Sequence, residues 1–140
     1  MMNKKLVSTL GLVKSAVYKR LSEDPAIQSV VSGVYDYVDK HARFPYIVLG
    51  EMTGFPWDSK TSAGQEVTIT IHTWSDYPGD EEILLKIHPL IFDAISREPI
   101  DVGENFAVML ARLEIEETIE SPDGRARQGI TRFRFRIMEV

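Results

Sequence analysis

Arg132, Arg134 and Arg136 occupy every second position near the end of the chain. Successive strand side chains point to opposite faces, so in a strand these three guanidinium groups form a row on one face. Such a row can track a phosphate backbone, or it can lie against carboxylates as a ladder. The preceding apolar segment bears on the choice. It carries Arg112, Glu114 and Glu116 on one parity and Leu113 and Ile115 on the other. A hairpin with an odd-length loop at Pro122-Asp123-Gly124 pairs even positions with even ones, which puts Leu113 and Ile115 beside Phe133 and Phe135 on a shared buried face. The same register lays glutamates beside arginines on the outer face, each pair contributing about 0.2–1 kcal/mol. The row therefore reads as a charge-balanced outer ladder. Ladders of this kind also set register between copies of a subunit.

The second conspicuous stretch is Met52 to Gly64, MTGFPWDSKTSAG. Its glycines, proline and Ser, Thr and Asp residues forbid a regular element and predict a long loop. It nevertheless carries Met52, Phe55 and Trp57. Two readings stay open: a contact surface built on exposed apolar side chains, or a lid folded back over the core.

Other chemistry finds little support. His41, His72 and His88 fall in three different elements without ligand spacing, whereas a metal site needs three or four convergent ligands. A small hydrolase would need Asp76 to converge with His72 or His88. Helix capping explains the carboxylates of Asp76, Asp80, Glu81 and Glu82 more simply. There is no glycine-rich phosphate loop, G-x-S-x-G elbow or HExxH motif. With no cysteine, a thiol nucleophile, a thiolate metal site and a disulfide scaffold are excluded. The sequence argues against an enzyme, and no cofactor or metal is expected.

The elements that position these residues follow from periodicity. Leu6, Leu10, Val13, Val17 and Leu21 form one apolar stripe of a helix over Asn3–Leu21, with Lys4, Lys5, Lys14, Lys19 and Arg20 mostly facing elsewhere. Asp24-Pro25 starts a short helix, Pro25–Val31, ended by Gly33. Strands are predicted at Val34–Val38, Pro45–Gly50 and Glu66–Trp74, the last with Val67, Ile69 and Ile71 alternating against polar residues. A second amphipathic helix runs from Asp80 to about Arg97, kinked or split after His88 by Pro89. Phe106–Ile119 and Gln128–Val140 close the chain as a hairpin around Ser121–Gly124. The expected fold class is α+β, a mainly antiparallel sheet packed against two amphipathic helices, with a long loop between central strands.

The 140 residues suit a single domain, 1–140, able to remove about two thirds of its unfolded surface from water. The net charge of −5 repels free duplex DNA on average, so nucleic-acid binding would need a local basic patch such as the arginine row. No apolar run reaches the ~18 residues needed to cross a bilayer, and no membrane partner is expected. The basic start resembles a signal peptide. Its apolar stretch is broken by Ser8, Thr9, Lys14 and Ser15, with no cleavage site after it, so it reads as part of the mature fold, made in the cytoplasm.

Several phrases resemble the tail completion, or tail terminator, proteins of long-tailed phages and prophages. These are Val34-Tyr35-Asp36 with Phe44-Pro45-Tyr46-Ile47-Val48-Leu49-Gly50-Glu51, then Gly64 to Ser75 (GQEVTITIHTWS), then Asp123-Gly124 before Gly129-Ile130-Thr131-Arg132-Phe133-Arg134-Phe135. They span nearly the whole chain in the family's order. The resemblance implies an α+β subunit of a hexameric ring at the head-proximal end of the tail tube. Such a ring stops tube polymerisation, joins tube to head connector, and leaves an axial channel through which DNA passes without specific binding. The implied partners are further copies of the chain, the major tail tube protein and a head-completion or connector protein, and the implied location is the virion. No catalytic residues carry over. Candidate subunit or tube contacts are Met52, Phe55 and Trp57 on one side and the hairpin with Arg132, Arg134 and Arg136 on the other. The alternatives are a head-closure ring subunit and a nucleic-acid-binding module using the arginine strand.

Overall fold

The computed structural model describes residues 5–140 and has the expected α+β composition. Its elements are α1 (Leu10–Ser22), α2 (Pro25–Gln28), β1 (Val34–Tyr35), β2 (Tyr46–Pro56), β3 (Gly64–Ser75), a π-helical segment (Glu82–Ile87), α3 (His88–Ser96), β4 (Phe106–Glu120) and β5 (Arg127–Glu139). The strands form one sheet in the order β1-β2-β3-β5-β4, antiparallel except for the β1–β2 pair.

One sheet face carries the core. Val67, Ile69 and Ile71 of β3 and Phe133, Phe135 and Ile137 of β5 meet Val13, Val17 and Leu21 of α1 and Ile87, Ile91 and Ile95 from the second helical segment. Asp24 accepts hydrogen bonds from the N–H groups of Ala26 and Ile27 at 2.9 and 3.2 Å, so the one-turn α2 has the expected cap, with Pro25 at its start.

Some boundaries differ from expectation. The first helix starts at Leu10; Asn3 and Lys4 lie outside the described residues, and Leu6 is 94% exposed rather than part of the apolar stripe. The backbone N–H and hydroxyl of Thr9 both donate to the Gln65 side-chain oxygen, which anchors the chain before the first helical turn. The short helix ends at Gln28, not Val31, and β1 spans two residues, not five. The predicted break in the second helix falls one residue early. The π-helical segment gives way to α3 at His88, leaving Pro89 in the first turn of α3, where a missing N–H costs least.

The largest correction concerns Met52–Gly64. Met52 to Pro56 continue β2 in register with Ile69 to Gln65, after a bulge between Leu49 and Met52; only the segment 57–63 is a connection. Gly54 and Pro56 do not end the strand because β1 covers β2 only at Ile47 and Val48. The distal half of β2 is an edge, where proline is tolerated.

The terminal hairpin is also rearranged. β4 carries bulges between Val108 and Leu110 and between Leu113 and Ile115, and its last pair, Glu120 with Arg127, encloses six residues. Leu113 lies opposite Phe133 as expected. The extra residue Glu114 then flips the parity, so Ile115 faces Arg132 and Glu116 turns to the core side. Leu113 stays 41% exposed because α3 does not extend over this edge.

Candidate assembly surface

The sheet face opposite the helices is polar. Its cross-strand rows run Phe55–Glu66–Arg136, Thr53–Thr68–Arg134 and Thr70–Arg132. The strict alternation of β3 and β5 builds it: every residue between two core side chains is delivered here. Glu66 is the hub. One of its carboxylate oxygens accepts from Arg134 Nη1 at 3.0 Å and the other from Arg136 Nε at 2.8 Å. Arg134 also donates to Glu114, and Arg132 Nε donates to the Thr70 hydroxyl at 3.1 Å. The hydrogen bond from Arg136 holds the Glu66 carboxyl below the usual carboxylate range; burial opposes this, and the charges of Arg134, Arg136 and Arg112 add to it. A shallow cleft of about 240 Å³ crosses the face between Glu51, Phe55, Glu114 and Arg132.

The Arg136 guanidinium lies 5.4 Å from the Trp57 ring centroid. Trp57 is half-buried, and Phe55 is 63% exposed on the same side of the sheet. The structure therefore brings Phe55, Trp57, Arg132, Arg134 and Arg136 onto one face rather than onto two opposed patches. Met52 is separated from them: it lies opposite Ile69 and packs against the core. Sequence reasoning placed glutamates beside the arginines from β4, and Glu114 does this from within its bulge. It missed Glu66, the partner of two arginines, although Glu66 is an outward position of the most regular strand.

The remaining titratable groups disperse. His72, on the outer face, contacts Glu51 at 3.1 Å and Gln128 at 2.8 Å. His88 is fully buried under the opposite face, with Nδ1 2.9 Å from Glu116. Neither is bonded to Asp76, so the hydrolase arrangement is not assembled. The acidic residues before the second helix do not cap it: Glu82 accepts from Ser75, and Asp80 pairs with Arg127. Among the described residues no group of three His, Asp or Glu side chains is placed to hold a metal ion, and no helix is long and apolar enough to cross a membrane.

A family profile described as "Tail completion protein gp17" matches residues 15–138, from within α1 to the end of β5. The chain belongs to this family. Its relative in Bacillus phage SPP1, the tail completion protein gp17, is 25% identical over 125 residues, which cover 89% of this chain and 91% of that protein. The solved structure of SPP1 gp17 shares the fold, with a TM-score of 0.61 at 23% identity over 91% of this chain and 88% of that one. A chain in the virion of a native gene transfer agent particle superposes with a TM-score of 0.80 at 19% identity, over 96% of this chain and 100% of that one. The tail completion family match reaches every strand of the sheet and includes Phe55, Trp57 and the arginine row.

Proposed function

We propose that this tail completion protein is a structural virion component forming a hexameric ring at the head-proximal end of the tail tube. The ring ends tube polymerisation, seats the tube on the head connector and leaves an axial channel for DNA. The observation that carries this reading is the family match over residues 15–138. The surface chemistry supports it. Arg134 and Arg136 are paired with Glu66 and Glu114, and the chain is acidic overall, so DNA in a channel meets no continuous basic track. The outer face offers Phe55, Trp57 and the arginines as a contact for the tube protein.

The test is genetic. Host cells carrying the phage genome without this gene should accumulate filled heads and unattached tails, and a plasmid copy of the gene should restore joined particles. Joined, infectious particles in its absence contradict the proposal.

A further inference from the structure

Among the described residues the sheet ends in two open edges. On one side β4 is outermost along its whole length, Phe106–Glu120, and pairs only with β5. On the other, β1 covers only Ile47 and Val48, so β2 is open from Leu49 to Pro56. An open edge presents N–H and C=O groups without partners, and soluble proteins usually blunt it with proline, lysine or a covering element. β4 contains neither proline nor lysine, and its only blunting features are the bulges at Val108/Leu110 and Leu113/Ile115 and the inward-turned Glu116. Met109, Leu113, Ile115 and Ile119 are 38–58% exposed along it. An apolar groove of about 210 Å³, lined by Phe92, Ile95, Leu113 and Phe133, opens beside it under α3.

Charge and direction point to what covers this edge. β4 holds four glutamates and one arginine, a net charge of −3. At the other end of the sheet, α1 packs on β1 and β2 and carries Lys14, Lys19 and Arg20 with no acidic residue; with Glu51 of β2 the two elements hold a net charge of +2, and Lys14 pairs with Asp36. Two β4 edges meeting each other would bring like charges together, whereas β4 meeting the α1–β2 side of another copy joins opposite ones. Three antiparallel steps separate β2 from β4, so the two strands run in opposite directions. A rotation about an axis along the strands therefore brings a second copy's β2 alongside β4 in antiparallel register. This contact is heterologous, of the kind that closes rings.

We infer that β4 of one copy pairs edge to edge with Leu49–Pro56 of β2 in the next, continuing the sheet from subunit to subunit. This rests on the ring reading and names the surfaces that build it.

The chain has no cysteine, so introduced thiols report only this contact. The full-length protein carrying both Thr53→Cys and Met109→Cys is mixed with purified major tail tube protein and treated with a short bis-maleimide. The double variant should give a covalent ladder extending to six copies on a denaturing gel. Each single variant alone should stay monomeric, and the two singles mixed should give a dimer and nothing larger. Phe55→Cys with Ala107→Cys, the next outward pair in the same antiparallel register, replaces any variant that loses its melting transition. A dimer from the Met109→Cys protein alone overturns the head-to-tail pairing. Absence of any ladder while electron micrographs show rings overturns the edge assignment and leaves the ring standing. Absence of rings with the wild-type protein overturns both.

Discussion

The Arg136 guanidinium is held between two partners, the Glu66 carboxylate at 2.8 Å and the Trp57 ring at 5.4 Å to its centroid. This links the β2–β3 connection to the closing strand. Replacing Trp57 by alanine removes the ring but leaves the charge pair. Trp57→Ala should lower unfolding free energy by only about 1–2 kcal/mol, since an exposed cation–π contact gives about 0.5–1 kcal/mol and the half-buried ring adds packing. Urea denaturation monitors this. The folded variant should cap tubes less well; unchanged capping removes Trp57 from the contact.

Glu66 pairs with two arginines, so Glu66→Gln should act on both stability and nucleic-acid affinity. Loss of a charged hydrogen-bond acceptor from a part-buried site costs about 1–3 kcal/mol. Because the folded carboxyl titrates below its ordinary value, its stabilisation is fully present above that value and disappears as pH falls through the folded one. The wild-type protein should show this acid loss and the variant should lack it. The same variant should bind duplex DNA more tightly than the wild type, with an affinity that falls steeply with salt in fluorescence anisotropy.

His88 supplies a second pH signature. Burial holds its imidazole below the ordinary histidine range, and the Glu116 carboxylate only partly opposes this. The ring is therefore neutral in the fold, with Nδ1–H donating to Glu116 and Nε2 buried without a partner among the described residues. As pH falls below about 6.5, the unfolded chain takes up a proton that the folded one refuses, so stability falls. Thermal melts from pH 7.5 to 5.5 should show this decline, with a contribution approaching about 1.4 kcal/mol per pH unit. His88→Leu should remove that part of the slope. Equal slopes in the two proteins contradict the assignment.

Gly64 begins β3 where two backbones close in. A Cβ there would lie 2.2 Å from the Trp57 carbonyl oxygen and 2.8 Å from that of Ile137. Neither oxygen can rotate away as a side chain could. Gly64→Ala should destabilise by about 1–3 kcal/mol or more and disorder the Trp57 connection, measurable as a lowered melting temperature and altered tryptophan fluorescence.

Strict periodicity made β3, β5 and the core face of α1 legible: alternating Val67, Ile69 and Ile71 admit only one arrangement against Phe133 and Phe135. What stayed hidden depended on partners elsewhere in the chain. Met52–Pro56 has the composition of a loop, and it is held as strand by the N-terminal half of β3, Gln65–Ile69, and by an edge that tolerates Gly54 and Pro56. Bulges leave almost no local signal, so the parity change at Glu114 could not be read, and Glu116 was placed on the wrong face. The Arg132–Arg136 row was visible, but Glu66 as its main counter-charge required the β3–β5 register, a contact across 70 positions of sequence.

Tube length tests the central claim most directly. Purified tube protein is polymerised with and without this protein, and the products are measured by negative-stain electron microscopy. The proposed role predicts tubes of indefinite length with bare ends in its absence, and short tubes with one ring-capped end in its presence. Identical length distributions and uncapped ends in both samples contradict it.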